Sequence, residues 1–405
     1  MKRMTFAIVC LLLASALGYF VDVYDLLIFS VVRNPSLASL GVPASESLTV
    51  GLRLLNWQMA GLLIGGVVCG SLADRRGRLA VLFGSILLYS VANILNANVS
   101  VLWMYEVLRF TAGVGLAGQL GAGVSIVSET LSPERRGYGT MFIAGVGLLG
   151  AVAAGIIGTH VGWRTAFLVG GVMGLLLLVL RIGLVESEAF REIQSKQVSR
   201  GSLVLLLRDP TRVLRYLRCI GVGLATYLVV GLVVTGAPEF GKALHLSQIP
   251  SAGTAVLLCY LSMSIGDVAC TTLSQVSRNR RMPLILFNVI VLGGLLSLAV
   301  VPPTTRRSFY VLCCVLGFGC GFWSLVTTFA AEQFGTNLRG TVSTTVPNFI
   351  RAALIPITAV FAILRPHFGL LHATLYLGLL VALIGITSTA SLPETFGKSL
   401  NFLET

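Results

Sequence analysis

A chain of 405 residues that is 55% hydrophobic and 11% charged, with a mean hydropathy of +0.89, is too apolar to be a water-soluble globule. Its 29 Lys and Arg against 16 Asp and Glu leave a formal charge of +13, but a nucleic-acid binder needs a soluble basic surface that these apolar runs leave no length to build. The basic residues gather instead in alternate loops, the pattern that sets membrane topology.

Charged turns divide the sequence into twelve apolar stretches, near 5–32, 49–73, 79–98, 102–129, 137–160, 163–185, 214–237, 250–276, 283–302, 307–333, 340–365 and 370–392. Each is close to the ~20 residues a helix needs to cross a bilayer, so the expected fold is an all-α membrane protein with twelve transmembrane helices. The first stretch begins like a signal peptide, but it continues through Asp22 and Asp25 to Val32 with no small-residue cleavage site. It reads as an uncleaved first helix. Lys2 and Arg3, the Arg75/Arg76/Arg78 turn, Arg135/Arg136, the 191–218 region and Arg278/Arg280/Arg281 share one side if both termini are inside, whereas Arg306 and Arg307 fall on the other. The bias favours a multi-pass protein of the plasma membrane (the inner membrane of a bacterium) with both termini cytoplasmic.

A lone carboxylate in hydrocarbon is costly, so one that persists there is neutralised, paired or facing water. Asp22 and Asp25 are therefore the leading candidates to carry protons. Their i,i+3 spacing places them on one face of the first helix, near mid-membrane, and repulsion between two close carboxylates favours a proton on one of them. Tyr24 beside them, Gln58 in the second stretch and Gln119 in the fourth are candidate hydrogen-bonding groups for a substrate.

Arg109 lies about two turns inside the fourth stretch, at a depth comparable with the aspartates. Three roles fit it: a bidentate clamp on a substrate carboxylate, a partner that releases Asp25 on protonation, or a cation neutralised by Glu106 one turn away. In the second half, Arg351 stands one turn from Asn348 and forms either part of a polar pocket or an inter-helix pair with Asp267. Tyr227 and Trp323 supply a hydrogen bond and an apolar wall for the same candidate substrate site.

The turn at 70–78 reads Gly-Ser-Leu-Ala-Asp-Arg-Arg-Gly-Arg, and a degraded copy returns at an offset of 203 residues. Ser71, Arg75 and Arg78 recur as Ser274, Arg278 and Arg281; Glu129, Arg136 and Gly137 recur as Glu332, Arg339 and Gly340. The chain is thus expected to form two pseudo-symmetric six-helix bundles, 1–185 and 214–405, joined by a polar cytoplasmic connector at 186–213. A duplicated bundle provides two halves that rock about a central site. Gly70, Asp74, Arg75, Gly77 and Arg78, with Glu129, Arg136, Glu332 and Arg339, lie too near the membrane edge to touch a mid-membrane substrate. They read as a cytoplasmic gate of charge pairs between helix ends.

All eight cysteines fall within apolar spans, which suggests buried free thiols. Trp103 and Trp163 fall near predicted membrane boundaries, the usual place of interfacial anchors. No His/Cys/Asp cluster, phosphate loop or nucleophile arrangement is visible, so no metal, no cofactor and no enzyme active site are expected.

The 70–78 turn resembles the G-x-L-x-D-x-x-G-R signature of the major facilitator superfamily, where it lies between the second and third helices. Within that superfamily the first half resembles the metabolite:proton symporters. The similarity rests on Asp22-Val23-Tyr24-Asp25-Leu26, on Arg109 followed by Gly113 and Gly118, and on Glu129 to Gly137 (ETLSPERRG). Gly162-Trp163-Arg164 and Glu186-Ser187 with Phe190 extend it. Pro393-Glu394-Thr395 is similar to the terminus of sugar porters. Where the symporters carry a glutamate ten residues after the arginine, this chain has Gln119. The resemblance implies a monomeric secondary transporter that takes up a small organic acid, amino acid or zwitterion with protons, an exporter or exchanger of the same fold being the alternative and a non-transporting membrane sensor the remote one.

Overall fold

In the computed structural model, residues 2–76, 78–117, 136–185, 206, 208–397 and 404 are described, and among them the chain is helical with no strand. The first half comprises α1 (Lys2–Ser39), α2 (Ser47–Arg76), α3 (Arg78–Asn96), α4 (Leu102–Ala117), α5 (Arg136–His160) and α6 (Trp163–Val185). In the second half come α7 (Pro210–Leu228), short α8 (Ala237–Ala243), α9 (Ala252–Ser277), α10 (Arg281–Val300), α11 (Arg306–Gly319), α12 (Trp323–Glu332), α13 (Thr336–Ala352) and α14 (Leu354–Ser391).

Nine helical spans among the described residues are long and apolar enough to cross a membrane. One of them, Asn337–Ser391, contains two of the predicted crossings, separated at Gly369, whose φ of 71° is the left-handed turn that a side chain would oppose. The third predicted crossing is the shorter apolar helix Val81–Asn96, and the fourth continues past Ala117, outside the described residues. The apolar stretches of the sequence thus correspond to the helices that form.

Among the described residues three predicted crossings are not continuous α-helix: the 340–365 stretch is interrupted by a single turn residue, Ala353, between α13 and α14, and two others are altered further. After Leu228, α7 opens into a π-helical turn over Val229–Val234, and Val230 O there accepts both Thr235 N–H (3.2 Å) and Thr235 Oγ1–H (2.8 Å). The predicted 307–333 stretch breaks between α11 and α12, at Gly319–Phe322. Composition hides both features because every residue around them is apolar or small.

In the first half α1 packs on α5 and α6, α2 on α4, and α3 on α4 and α6; in the second, α9 packs on α11 and α14 on both α7 and α10. The halves meet along two seams, α5 against α9 and α2 against α13. The 203-residue repeat maps α2 onto α9 and α5 onto the α13 region, so each seam is the internal copy of the other. Glycine permits the closest approaches. A Cβ on Gly61 would lie 2.1 Å from Phe110 O, and one on Gly113 would lie 2.1 Å from Gln58 O, so α2 and α4 touch backbone to backbone.

Away from the chain termini, the halves are tied by an ion pair. The Arg33 guanidinium near the end of α1, fully buried, donates through Nη2 to both carboxylate oxygens of Glu239 in α8, at 2.5 and 2.7 Å. Gly51 leaves room for it: a Cβ there would lie 2.3 Å from Arg33 Cδ. On the same side Asn56 Nδ2 of α2 donates to Thr358 Oγ1 of α14 at 2.8 Å.

At the termini end the described ion pairs lie within the second half. Glu332 pairs with Arg280 (3.1 Å) and accepts from Thr395 Oγ1 (2.7 Å), while Glu404 pairs with Arg215 (2.9 Å) and Arg212 (3.6 Å). Arg278, the repeat copy of Arg75, is left-handed (φ 49°) and ends α9. Glu394 of the Pro-Glu-Thr motif accepts the backbone N–H groups of Arg280, Arg281, Thr395 and Phe396 at 2.9–3.1 Å, and so caps the start of α10. Desolvation works against its charge, but these donors outweigh it and hold the Glu394 carboxyl below the usual range.

Of the predicted gate residues, Gly77 and Glu129 lie outside the described residues, as do the side chains of Asp74, Arg75, Arg78 and Arg136 and the surroundings of Gly70. Arg339 stands in the first turns of α13. Trp163 corrects an expectation: it is 8% exposed and packs on Tyr105 and Phe167 rather than anchoring at an interface, whereas Trp103 is 67% exposed. The described cysteines are free, most of them buried.

The α2–α4 contact leaves no space for a side chain, so Gly113→Val is expected to destabilise the protein by about 3 kcal/mol or more. Gly84→Val, at a position where a Cβ meets nothing within 4 Å, should stay within about 0.5 kcal/mol. Thermal unfolding of both variants in detergent checks the contrast.

Candidate functional site

The first of two polar clusters lies inside the first half. Asp25 on α1 is 1% exposed, and its two oxygens have no hydrogen-bond partner among the described residues. It packs on α6 at Gly170, where a Cβ would lie 2.3 Å from its Oδ1. Asn93 of α3 stands beside it and accepts from Arg109 Nη2 of α4 at 2.8 Å. Arg109 is fully buried, with its guanidinium 4.6 Å from the Phe167 ring centroid and 6.0 Å from that of Tyr105. Its Nε and Nη1 have no hydrogen-bond partner among the described residues.

Glu106 does not neutralise Arg109. It pairs with Arg53 of α2 at 2.8 Å, because its side chain leaves α4 on the α2 side. Nor do Arg109 and Asp25 form an ion pair among the described residues; the Asn93 amide lies between them. Tyr24, a predicted substrate contact, donates its hydroxyl to Ala166 O of α6 at 2.8 Å and is fully buried, so it braces α1 against α6. Gln58 is fully buried on α2, and neither end of its amide has a partner among the described residues; Gln119 lies outside them.

A second cluster crosses from one half to the other. Arg351 on α13 is 4% exposed and donates from Nε to the Tyr227 hydroxyl of α7 at 2.9 Å. Its guanidinium lies 5.4 Å from the Trp323 ring of α12, and the Trp323 and Tyr227 rings are 6.1 Å apart. Tyr19 of α1 and Tyr260 of α9 lie close enough to act on it electrostatically. Tyr19 fits there because α5 carries Gly147, where a Cβ would sit 1.9 Å from the tyrosine ring. Arg351 forms no ion pair among the described residues. A cation is thus held between aromatic faces, an arrangement stabilised by ring quadrupoles yet open to an anion.

Asp22, one α1 turn from Tyr19, is 6% exposed, and its Oδ1 has no hydrogen-bond partner among the described residues; Arg181 and Arg351 act on it electrostatically. The i,i+3 pair therefore divides its work. Asp25 faces inward to Asn93 and Arg109, while Asp22 lies within the fields of Arg181 and, more weakly, Arg351. Asn348, one turn before Arg351, is 1% exposed and reaches across to the α4 carbonyl of Ala117 at 3.5 Å.

The alternative pairing of Arg351 with Asp267 is not found. Asp267 on α9 instead accepts Ser324 N–H at 2.9 Å and bonds the Ser324 hydroxyl. Sequence reasoning missed Asn93, Tyr19 and Tyr260, and the Arg33–Glu239 tie as well. The two asparagines in the apolar run of α3, Asn93 and Asn96, were the available signal for the first; aromatic residues in a membrane helix give none.

The sequence matches the model of the Major Facilitator Superfamily over residues 15–355. It is 27% identical to a protein of Haemophilus influenzae named for metabolite transport, over 96% of this chain and 97% of that protein. To a protein of Cupriavidus pinatubonensis named for 4-methylmuconolactone transport it is 24% identical, over 95% and 90% of the two chains. A gentisate transporter of Corynebacterium glutamicum is 28% identical, over 82% of this chain and 76% of its own length. With an all-helical membrane fold, a buried polar cluster spanning both halves and a family match over most of its length, the chain belongs to the Major Facilitator Superfamily and is a transporter of small metabolites rather than an enzyme.

Proposed function

We propose that the protein takes up a small aromatic carboxylic acid together with protons, by alternating access between six-helix bundles 1–185 and 214–405 joined by the 186–213 connector. The observation that carries this reading is Arg351, a buried guanidinium with no carboxylate partner among the described residues, set against Tyr227 and Trp323. A carboxylate answers its charge and an aromatic ring matches its walls. The names of the relatives support the same class, since gentisate is an aromatic acid.

Proton coupling follows from Asp22. While it is ionised, its charge offsets the field of Arg351 and disfavours an incoming anion. Once it is protonated, that field is available to the substrate. By linkage, a bound carboxylate favours the proton on Asp22 by the same factor. Asp25, Asn93 and Arg109 form a second proton-responsive group within the first bundle, and Tyr227, Trp323, Asn348, Gln58 and Gln119 complete the substrate surroundings.

With both termini cytoplasmic in the plasma membrane, the end tied by Arg33 and Glu239 is the outer one. The monomer is then closed to the outside, and the signature residues Asp74, Arg75, Arg78, Glu129 and Arg136 close the inner side in the opposite state. Glu332, Arg339 and the Arg280 and Glu394 contacts brace the second bundle at that end.

Proteoliposomes with an imposed inward proton gradient, offered benzoate, gentisate, cyclohexanecarboxylate, phenol and benzylamine, test the reading. Gradient-stimulated accumulation of the aromatic carboxylates is expected; saturable uptake of the amine, or indifference to all the acids, overturns it. Arg351→Lys keeps the charge but loses the planar fork, and should raise the KM for benzoate about tenfold or more with a smaller change in kcat. Asp22→Asn should retain benzoate exchange but lose gradient-driven accumulation, read as equal uptake with and without the gradient. Glu239→Gln leaves a buried guanidinium without its counter-charge, a loss of about 3–5 kcal/mol for the closed outer end. Labelling of a cysteine placed at Leu37, buried one α1 turn after Arg33, by an impermeant reagent from outside should then accelerate.

A further inference from the structure

The tenth crossing is broken in the middle of an apolar span. α11 ends at Gly319 and α12 begins at Trp323, inside the 27-residue stretch Arg306–Glu332. A helix that starts at that depth exposes N–H groups with no water to receive them. Phe322, at the N-cap position, has no side-chain acceptor to offer. The acceptor comes from another helix. Asp267 on α9, with no exposed surface, takes the Ser324 N–H at 2.9 Å and the Ser324 hydroxyl, and the Trp323 N–H is directed to the same carboxylate.

The approach is built into both chains. A Cβ on Gly266 would lie 2.4 Å from Phe318 O, one on Gly317 2.2 Å from Cys259 O, and one on Gly321 2.6 Å from Asp267 N. Three glycines thus bring the α9 backbone onto the break itself. Asp267 forms no ion pair among the described residues; the positive end of α12 answers its charge. The first residue of that half-helix is Trp323, whose ring faces Arg351 and Tyr227.

We propose that Asp267 is a positioning residue for substrate selectivity: by capping the half-helix α12 from α9, it fixes the aim of Trp323 at Arg351 and so sets the aromatic wall of the site without touching the substrate. The proposal rests on Arg351 and Trp323 forming that site. It separates the buried acids by role, Asp22 carrying the proton and Asp267 holding geometry.

The test uses Asp267→Asn and Ser324→Ala, which weaken the cap, alone and combined with Trp323→Ala. In each single cap variant the preference for benzoate over cyclohexanecarboxylate, measured as the ratio of kcat/KM values, should fall by about tenfold, the range of a lost cation–π wall. Stimulation by the proton gradient should persist. In the Trp323→Ala background the cap substitutions should cost no further selectivity, because they act through that ring. Unchanged selectivity, additive losses, or loss of gradient stimulation with selectivity intact overturns the proposal. A second readout needs no substrate: in protein labelled with 5-fluorotryptophan, the fluorine resonance assigned to Trp323 by its own substitution should shift or broaden in Asp267→Asn. If the wild type moves none of the acids, the substrate reading fails, and an unshifted Trp323 resonance still overturns the role of Asp267 by itself.

Discussion

Burying a guanidinium at membrane depth is costly unless some group of the protein or its ligand answers the charge. Two arginines here, Arg109 and Arg351, are buried without an ion pair among the described residues, and the surrounding helices accommodate them by the same device. Each rests against aromatic faces and spends one N–H on a neutral oxygen, Asn93 Oδ1 for Arg109 and the Tyr227 hydroxyl for Arg351. Such partners lower the cost of burial without cancelling the charge. An anion is still welcome at Arg351, and the glycines at 147 and 170 show how closely α5 and α6 approach Tyr19 and Asp25 to build the surroundings.

The remaining polar groups follow from the requirement that backbone and side-chain polar atoms be met internally. The carboxylate of Asp267 serves the start of a half-helix, Tyr24 serves a carbonyl on α6, and Glu394 serves the start of α10. Three residues that look alike in sequence, as acids or phenols within or beside apolar runs, therefore do different work. Among the described residues of the first half, Asp22 and Asp25 are the acids that keep buried carboxylate oxygens unspent.

This difference sets what was legible in the sequence. Hydropathy located the crossings because the bilayer fixes their length, whereas the two seams between the halves emerge from the packing and are then seen to be related by the 203-residue offset. Partnership was less legible because it depends on rotation about helix axes. Glu106 lies at i−3 from Arg109, yet reaches Arg53 on α2. Arg351 and Asp267 have opposite charges, yet bond to Tyr227 and Ser324. The break at Gly319–Phe322 and the π turn at Val229–Val234 left no trace in an unbroken apolar pattern, and Asn93 gained meaning only when α3, α4 and α1 were brought together.

The tie between Arg33 Nη2 and both carboxylate oxygens of Glu239 lies on the boundary between the halves, where a cycle of the proposed kind has to part it once per turnover. Its strength then enters both the barrier to opening and the balance between the two states. A weaker tie would open sooner but leave that side ajar, and a stronger one would seal better while slowing the empty carrier's return. In such a cycle the pair would act as a governor on throughput, placed far from the chemistry it paces.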